Sequence, residues 1–369
     1  MEARRRATTD QGFKKRRFKI KQGNQPMTTF NRRHVLLAGA AGIAASAARV
    51  VPASAADDAL YAAAKKEGAL NLYWGSYEQK TIEEIRDAFK AKYPGIEVNL
   101  LRQASQTVYT RLRLEIQNNA VQCDSLGTTN LLHYIDLKKI GAIQPHKPAH
   151  IEMVPADFRS LDPDNAFHVG AISLTTISQS SKVASPPKSW QALLDAPWAG
   201  KITTGSPAFS GDVASWVVAI RKKYGDDYLK AFARQKPKVG QSNVDTVTDI
   251  LSGERSVGSG APFSYSLAQK VAGNPIDVTV PEDGAILNLG LVAVPAKAPH
   301  PNAGKLFTDF LYSVEVSQIL SKNFWPTLRT DVPWAEGRTL QSIKWYRNPV
   351  DNLAAEVAEG IAKWKEIVV

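Results

Sequence analysis

From residue 69 to residue 140 the hydrophobic period switches repeatedly between two and 3.6, which restricts the fold more than any other feature of this chain. Residues 69–74, Ala-Leu-Asn-Leu-Tyr-Trp, read as a strand. Ile82, Ile85, Ala88 and Phe89 follow at helical spacing, and Tyr93-Pro94-Gly95 ends that helix. A second strand over 96–101 leads to a helix carrying Val108, Leu112 and Ile116, with Ser105 as its expected cap. A third strand over 123–126 precedes a helix over 131–140. Upstream, Asp57-Asp58 and Gly68 bracket a helix over 59–67. Such alternation predicts a mostly parallel sheet covered on both faces.

The middle of the chain breaks this rhythm with Pro145, Pro148, Pro155 and Pro163, then an extended β-branched segment over 169–177. A second alternating unit follows, with helices over 190–194 and 212–223 around a strand over 201–204. Strands over 276–280 and 287–294 flank the turn Pro281-Glu282-Asp283-Gly284, and helices over 303–311, 314–320 and 353–364 close the chain. From Ala56 onward 314 residues remain, more than one core usually supports, so two α/β lobes are expected. Residues 56–168 are assigned to the first lobe, 169–284 to the second, 285–340 to a return into the first, and 341–369 to a C-terminal helix packing on both. The lobes should be joined near 167–174 and 285–291.

Residues 1–55 read as a leader. Arg32-Arg33 precede an uncharged Ala/Gly/Leu-rich run over 35–48, and Pro52-Ala53-Ser54-Ala55 has the small-residue form of a signal-peptidase site. The run is too short for a permanent span of about 20 residues, and the arginine pair suits twin-arginine export with cleavage near Ala55-Ala56. Met27 would open a signal of normal length, so both Met1 and Met27 are open as starts. No cysteine near the cleavage site offers a lipid anchor, and a periplasmic protein is expected. All but one unit of the formal charge of +11 resides in this leader, which holds 12 Lys/Arg against Glu2 and Asp10. The remainder carries 34 basic and 33 acidic residues and has no electrostatic footprint for nucleic acid. A lone Cys123 excludes an intramolecular disulfide and reads as core packing.

Several segments, in order, resemble the periplasmic solute-binding proteins of ABC importers, in the branch that contains ferric-iron and thiamine binders. They are Lys65-Lys66-Glu67-Gly68; Ala88-Phe89 with Lys92-Tyr93-Pro94-Gly95-Ile96-Glu97-Val98; Pro187-Lys188-Ser189-Trp190-Gln191-Ala192-Leu193-Leu194; Trp198-Ala199-Gly200-Lys201-Ile202; Val280-Pro281-Glu282-Asp283-Gly284; and 298–307. The resemblance spreads from about 62 to 322. It implies a type II-like periplasmic binding fold whose two hinged α/β lobes close on a small solute and present it to a membrane permease. It implies no enzymatic activity, no cofactor and a monomer. A ligand-sensing subunit of a membrane sensor and a secreted enzyme on the same fold are the alternatives.

In open α/β sheets ligands sit beyond the carboxyl ends of strands. That rule nominates Gly75-Ser76-Tyr77, Gln103-Ala104-Ser105 and Gly127-Thr128-Thr129-Asn130 in the first lobe, and Gly205-Ser206-Pro207 and Ser210-Gly211-Asp212 in the second. Ser76, Ser105, Thr128, Thr129, Ser206, Ser210 and Gly211 would offer hydroxyls and helix N-terminal amides to an anionic group. Trp74, Tyr77, Phe263 and Tyr265 are the aromatic candidates for stacking, and Trp216 reads as core.

Tyr77 resembles the position where ferric binders place their first-lobe histidine, and Tyr77→Ala is expected to weaken binding with little effect on stability. Gly260-Ala261-Pro262-Phe263-Ser264-Tyr265-Ser266 matches the region where those binders carry adjacent tyrosines, with one tyrosine in place of two. Tyr77 and Tyr265, even with Glu282 added, make a thin iron site. An organic or oxyanion-bearing solute (thiamine-like, phosphonate or polyamine) is therefore expected over ferric iron. Gly253–Gly258 misses the serine-hydrolase spacing, and His146 and His150 read as loop residues between prolines.

Overall fold

A computed structural model describes residues 53–159, 161–349 and 352–369. The expected leader lies outside the described residues apart from Ala53-Ser54-Ala55, which open the first helix. Among the described residues no helix is long and apolar enough to cross a membrane.

Along the chain the elements are α1 (Ala53–Glu67), β1 (Ala69–Trp74), α2 (Gln79–Lys92), β2 (Glu97–Arg102), α3 (Ser105–Gln117), β3 (Ser125–Thr128), α4 (Leu131–Lys139), β4 (Ile143–Gln144), α5 (Ala156–Arg159) and β5 (His168–Ser180). Then come β6 (Ile202–Thr204), α6 (Gly211–Tyr224), α7 (Asp226–Arg234), β7 (Lys238–Val239), α8 (Asp245–Leu251), β8 (Val257–Pro262), α9 (Phe263–Val271), β9 (Ile276–Thr279) and β10 (Ala285–Pro295). The chain ends with α10 (Pro301–Phe310), α11 (Val314–Lys322), β11 (Trp345–Tyr346) and α12 (Leu353–Ile367). Residues 190–194, expected as a helix, form only a 3-10 turn over Gln191–Leu194.

The main sheet path runs β2-β1-β3-β10-β5-β8-β6-β7. At one end β1 is parallel to β2 and to β3; at the other β6 is parallel to β7 and to β8. These parallel trios follow from the helical crossovers, which return each strand in the same direction. Between them the long strands β5 and β10 pair antiparallel, with Thr175 opposite Ile286 and His168 opposite Val292. The upper part of β10 pairs with β3 and the later part of β5 pairs with β8, so these two strands belong to both halves.

Each half has its own core. In the first, α2 turns Ile82, Ile85 and Phe89 inward at the expected period, and Phe89 meets Phe307 and Phe310 edge-on at 5.4 and 5.5 Å. Pro94 follows the end of α2, and Gly95, at φ +94°, turns the chain into β2. In the second core Trp216 of α6 is fully buried among Trp190, Tyr228, Phe232 and Trp364. Trp364 comes from α12, which lies against α6 and is tied to it by Arg221–Glu359 and Lys222–Glu356 pairs at 2.6 Å. Trp364→Ala is expected to cost about 3–5 kcal/mol, as for other buried aromatic truncations. Urea unfolding would measure it, and a loss below about 1 kcal/mol would mean that α12 is not part of the second core.

Candidate functional site

The β-to-α junctions of both halves open on one cleft of about 810 Å³ between the two cores. In the first half β1 delivers Gly75, Ser76 and Glu78, β2 delivers Arg102–Ser105, and β3 delivers Thr129. From the second half come Ser210 and Asp212 at the start of α6, Gln241–Asp245 before α8, and Phe263, Ser264 and Tyr265 at the start of α9. Ser173 of β5 lies at the base, and Trp325 lines the first-half side.

The backbone packing here requires glycine. Gly75 passes so near α3 that a Cβ on it would lie 2.7 Å from Ser105 Cα. Gly211 abuts the other half, where a Cβ would stand 2.5 Å from the Thr129 carbonyl oxygen. The two halves thus meet backbone to backbone at one edge of the cleft.

Three helices of nine residues or more, α2, α3 and α9, begin at the cleft without a capping side-chain hydrogen bond, and α3 and α9 are the two whose N-cap is not a carboxylate. Ala104 precedes α3 and Pro262 precedes α9, and neither supplies a capping acceptor. Ser105 does not cap α3 as expected. Its hydroxyl instead accepts from Thr129 N–H at 3.2 Å and lies 3.3 Å from Gly75 O. By contrast α6 is capped, since Ser210 Oγ accepts from Val213 N–H.

Five charged groups line the cleft: Glu78, Lys80, Arg102, Asp212 and Asp245. Arg102 donates through Nε to Tyr77 O at 2.5 Å and through Nη1 to Gln103 O at 2.6 Å. Glu78 accepts from Trp325 Nε1 at 2.7 Å. Burial pushes the Glu78 carboxyl above the usual range, opposed by the Trp325 hydrogen bond and the nearby Arg102. Asp212, on the other half, is pushed up to about 7 by burial, with the Glu78 charge adding to the effect; Asn243 and Arg102 oppose it. Asn243 Nδ2 donates to Asp212 Oδ2 at 3.2 Å. Asp212 Oδ1, Ser173 Oγ and Ser76 Oγ are buried without a hydrogen-bond partner, at 8, 7 and 8% exposure for their residues. Unpaired buried polar atoms on a cleft wall are costly unless something entering the cleft satisfies them.

Of the residues nominated from sequence, Ser76, Ser105, Thr129, Ser210, Phe263 and Tyr265 line this cleft. The others are placed elsewhere. Trp74 is buried, stacked near Tyr77 and edge-on to Phe307 at 5.5 Å. Tyr77 is fully buried, and its hydroxyl donates to Gly170 O at 2.5 Å, so no phenolate is presented to a metal or solute. Thr128 Oγ1 contacts His133 Nδ1 at 3.1 Å inside the first core. Ser206 accepts from Ala208 N–H within its own loop. Gly211 packs on Thr129 beside the cleft. Glu282 is exposed on a turn whose backbone bonds Lys188 and Lys344, away from the cleft-lining residues. The iron set suggested by Tyr77 and Tyr265 is therefore reduced to Tyr265. Among the described residues no group of three His, Cys, Asp or Glu is placed to hold a metal ion.

Sequence reasoning missed Glu78, Arg102, Ser173, Asn243 and Trp325. Glu78 and Arg102 directly adjoin the nominated Tyr77 and Gln103, so extending each strand-end window by one residue would have found both. Nothing local marks Ser173 or Trp325.

Residues 134–347 match the family described as bacterial extracellular solute-binding proteins. A protein of Haemophilus influenzae named only as uncharacterized is 24% identical over 280 residues, covering 73% of this chain and 80% of that one. Among solved structures, the periplasmic binding protein AfuA from Actinobacillus pleuropneumoniae, holding exogenous fructose-6-phosphate, aligns with a TM-score of 0.74 at 19% identity over 82% of this chain and 98% of AfuA. A periplasmic thiamin binding protein aligns at 0.69 and 17% identity, over 82% and 96% of the two chains. A ferric binding protein from Campylobacter jejuni aligns at 0.67 and 21% identity, over 81% and 99%. At these identities the likeness is one of fold, and it is the two-lobed periplasmic binding fold that the alternating sequence and the resemblance had led us to expect. The family match covers more than half of the chain, including the second-half residues that line the cleft, and the protein belongs to the bacterial extracellular solute-binding family.

Proposed function

We propose that this protein is the exported, non-enzymatic solute-binding component of an ABC importer, working as a monomer in the periplasm and handing its solute to a membrane permease. The solute is an organic molecule bearing an anionic group, phosphate or carboxylate. The observation that carries this reading is the pair of uncapped helix N-termini, of α3 and α9, facing one cleft beside partnerless hydroxyls of Ser76 and Ser173. Free N–H groups and the positive end of the helix dipole favour an anion there, and the hydroxyls add donors. Ser105, Thr129 and Ser210 complete a polar wall, while Phe263, Tyr265 and Trp325 offer flat faces for the organic part. Ligand contacts from both halves would favour the closed arrangement. An organic anion suits this wall better than ferric iron, because Tyr265 is the one tyrosine among the residues lining the cleft.

A thermal-shift panel on the purified protein tests the reading. Inorganic phosphate, sugar phosphates, thiamine phosphates, aromatic acids, ferric citrate and iron-free citrate would be compared. A native-state ligand at one hundred times its dissociation constant stabilises by about 2.7 kcal/mol. Phosphate-bearing or carboxylate-bearing solutes are expected to raise the melting temperature. A shift with ferric citrate, with none from iron-free citrate or any other organic anion, would overturn the organic-anion reading.

A further inference from the structure

The anion seat leaves part of the cleft unexplained. Glu78 and Asp212 face this space from opposite halves, and the one arginine on its walls, Arg102, has Nε and Nη1 committed to the backbone carbonyls of Tyr77 and Gln103. The side chains that donate to these two carboxylates are neutral, with Asn243 bonding Asp212 and Trp325 bonding Glu78. Neither carboxylate is in an ion pair with Arg102, although its charge lies near enough to act on both. Two carboxylates therefore face one cleft from opposite halves with Arg102 as its one positive charge shielded from solvent, and Asp212 Oδ1 has no partner. A helix N-terminus cannot supply a hydrogen-bond partner to a ligand's cationic end, but a carboxylate pair can.

We infer that the solute is zwitterionic: an organic anion whose second pole is a protonated nitrogen, bound between Asp212 and Glu78 so that the nitrogen bridges the two halves. The inference rests on the anion-binding reading above and adds the identity of the opposite pole. Neutral hydroxyls could fill Asp212 Oδ1, but only a cation offsets the charge that the two carboxylates bring into the cleft. An ammonium also has three donors, enough for Asp212, Glu78 and the Ser173 hydroxyl.

The inference makes a pH-dependent statement. In the free protein Asp212 is held near 7, so below neutrality it is largely protonated. A cationic nitrogen favours the carboxylate, lowers that value, and so releases a proton when it binds near pH 6. Amine-dependent affinity should then rise from pH 6 to pH 8. The charged groups lining the same cleft are Glu78, Arg102, Lys80 and Asp245; Lys80 is solvent-exposed, and Asp245 already accepts from the backbone N–H groups of Gln241 and Ser242. On the far side of the start of α6, Arg347 lines a separate small cavity.

The test uses ω-aminoalkyl phosphates of two to six carbons, each against the alkyl phosphate of the same length, with inorganic phosphate as reference. Calorimetry on the whole protein at pH 6, 7 and 8 gives the affinity ratio within each pair, in which titration of the phosphate cancels. We expect at least one length to prefer the amine tenfold or more at pH 8, a smaller ratio at pH 6, and loss of the preference in Asp212→Asn, read as the amine-to-alkyl affinity ratio within that variant. Glu78→Gln should reduce the preference as well, and provides a second reading if Asp212→Asn folds poorly. Equal affinities at every length, or a preference that survives both substitutions, would overturn the zwitterion inference alone. Failure of every phosphate compound, inorganic phosphate included, would take the anion seat down with it.

Discussion

Gly211→Val is expected to abolish solute capture, raising the dissociation constant at least a hundredfold, while the free protein stays folded. The reason is local and steric. Gly211 opens α6 in the second half, and a Cβ there would lie 2.5 Å from Thr129 O and 2.7 Å from Thr129 C. The obstructing atoms are backbone, so no rotamer change relieves the clash. The cheapest response is for the halves to part along this edge, through small changes in β5 and β10, the strands they share. A ligand held, as proposed, by Ser76 and the start of α3 on one side and by Asp212 and the start of α9 on the other then loses one set of contacts. A hundredfold loss corresponds to about 2.8 kcal/mol, modest for such a separation. Calorimetry gives the affinity, and small-angle scattering shows whether a ligand still compacts the variant. Wild-type affinity in Gly211→Val would mean that the approach of Gly211 to Thr129 is not needed for binding.

How much of this could be read from the sequence depended on how local the cause was. Strand β1 occupies Ala69–Trp74 as expected, because Gly68 stops α1 and the apolar alternation that follows needs only the sheet to complete it. Helices α2, α4, α6 and α10–α12 likewise carried their own periodicity. Strand β8 did not. Val-Gly-Ser-Gly-Ala-Pro is poor in strand formers, and it becomes a strand because β5 and β6 pair with it from both sides. Its glycine has a tertiary reason as well, since a Cβ on Gly258 would stand 3.0 Å from Thr246 Cβ of α8. The same division holds at the cleft. Hydroxyls beyond strand ends were visible through a rule about strand direction. The partial burial of Glu78 and Arg102 and the burial of Asp212 were not, because a charged residue at the end of a strand or helix looks solvated until two halves close around it.

Tyr77 shows where the strand-end rule overreaches, and Tyr77→Ala should report it as a loss of stability of about 4–6 kcal/mol. The ring is fully buried, stacked 6.0 Å from Trp74 and edge-on to Trp325 at 4.9 Å. Truncating such an aromatic costs about 3–5 kcal/mol. The hydroxyl's bond to Gly170 O is also lost, which leaves a buried carbonyl unpaired and adds about 1 kcal/mol. The melting temperature should fall by roughly 10 °C, at a few degrees per kcal/mol for a chain of this size. This reverses the expectation from sequence of weakened binding at unchanged stability. Alternation alone already argued against a cleft position nearby: Leu70, Leu72 and Trp74 share one strand face, and all three are buried. Tyr77→Phe separates the two readings. It keeps the packing, removes only the hydroxyl, and should lose about 1–2 kcal/mol of stability with wild-type solute affinity. A tenfold weaker affinity at unchanged melting temperature would instead place that hydroxyl on the solute.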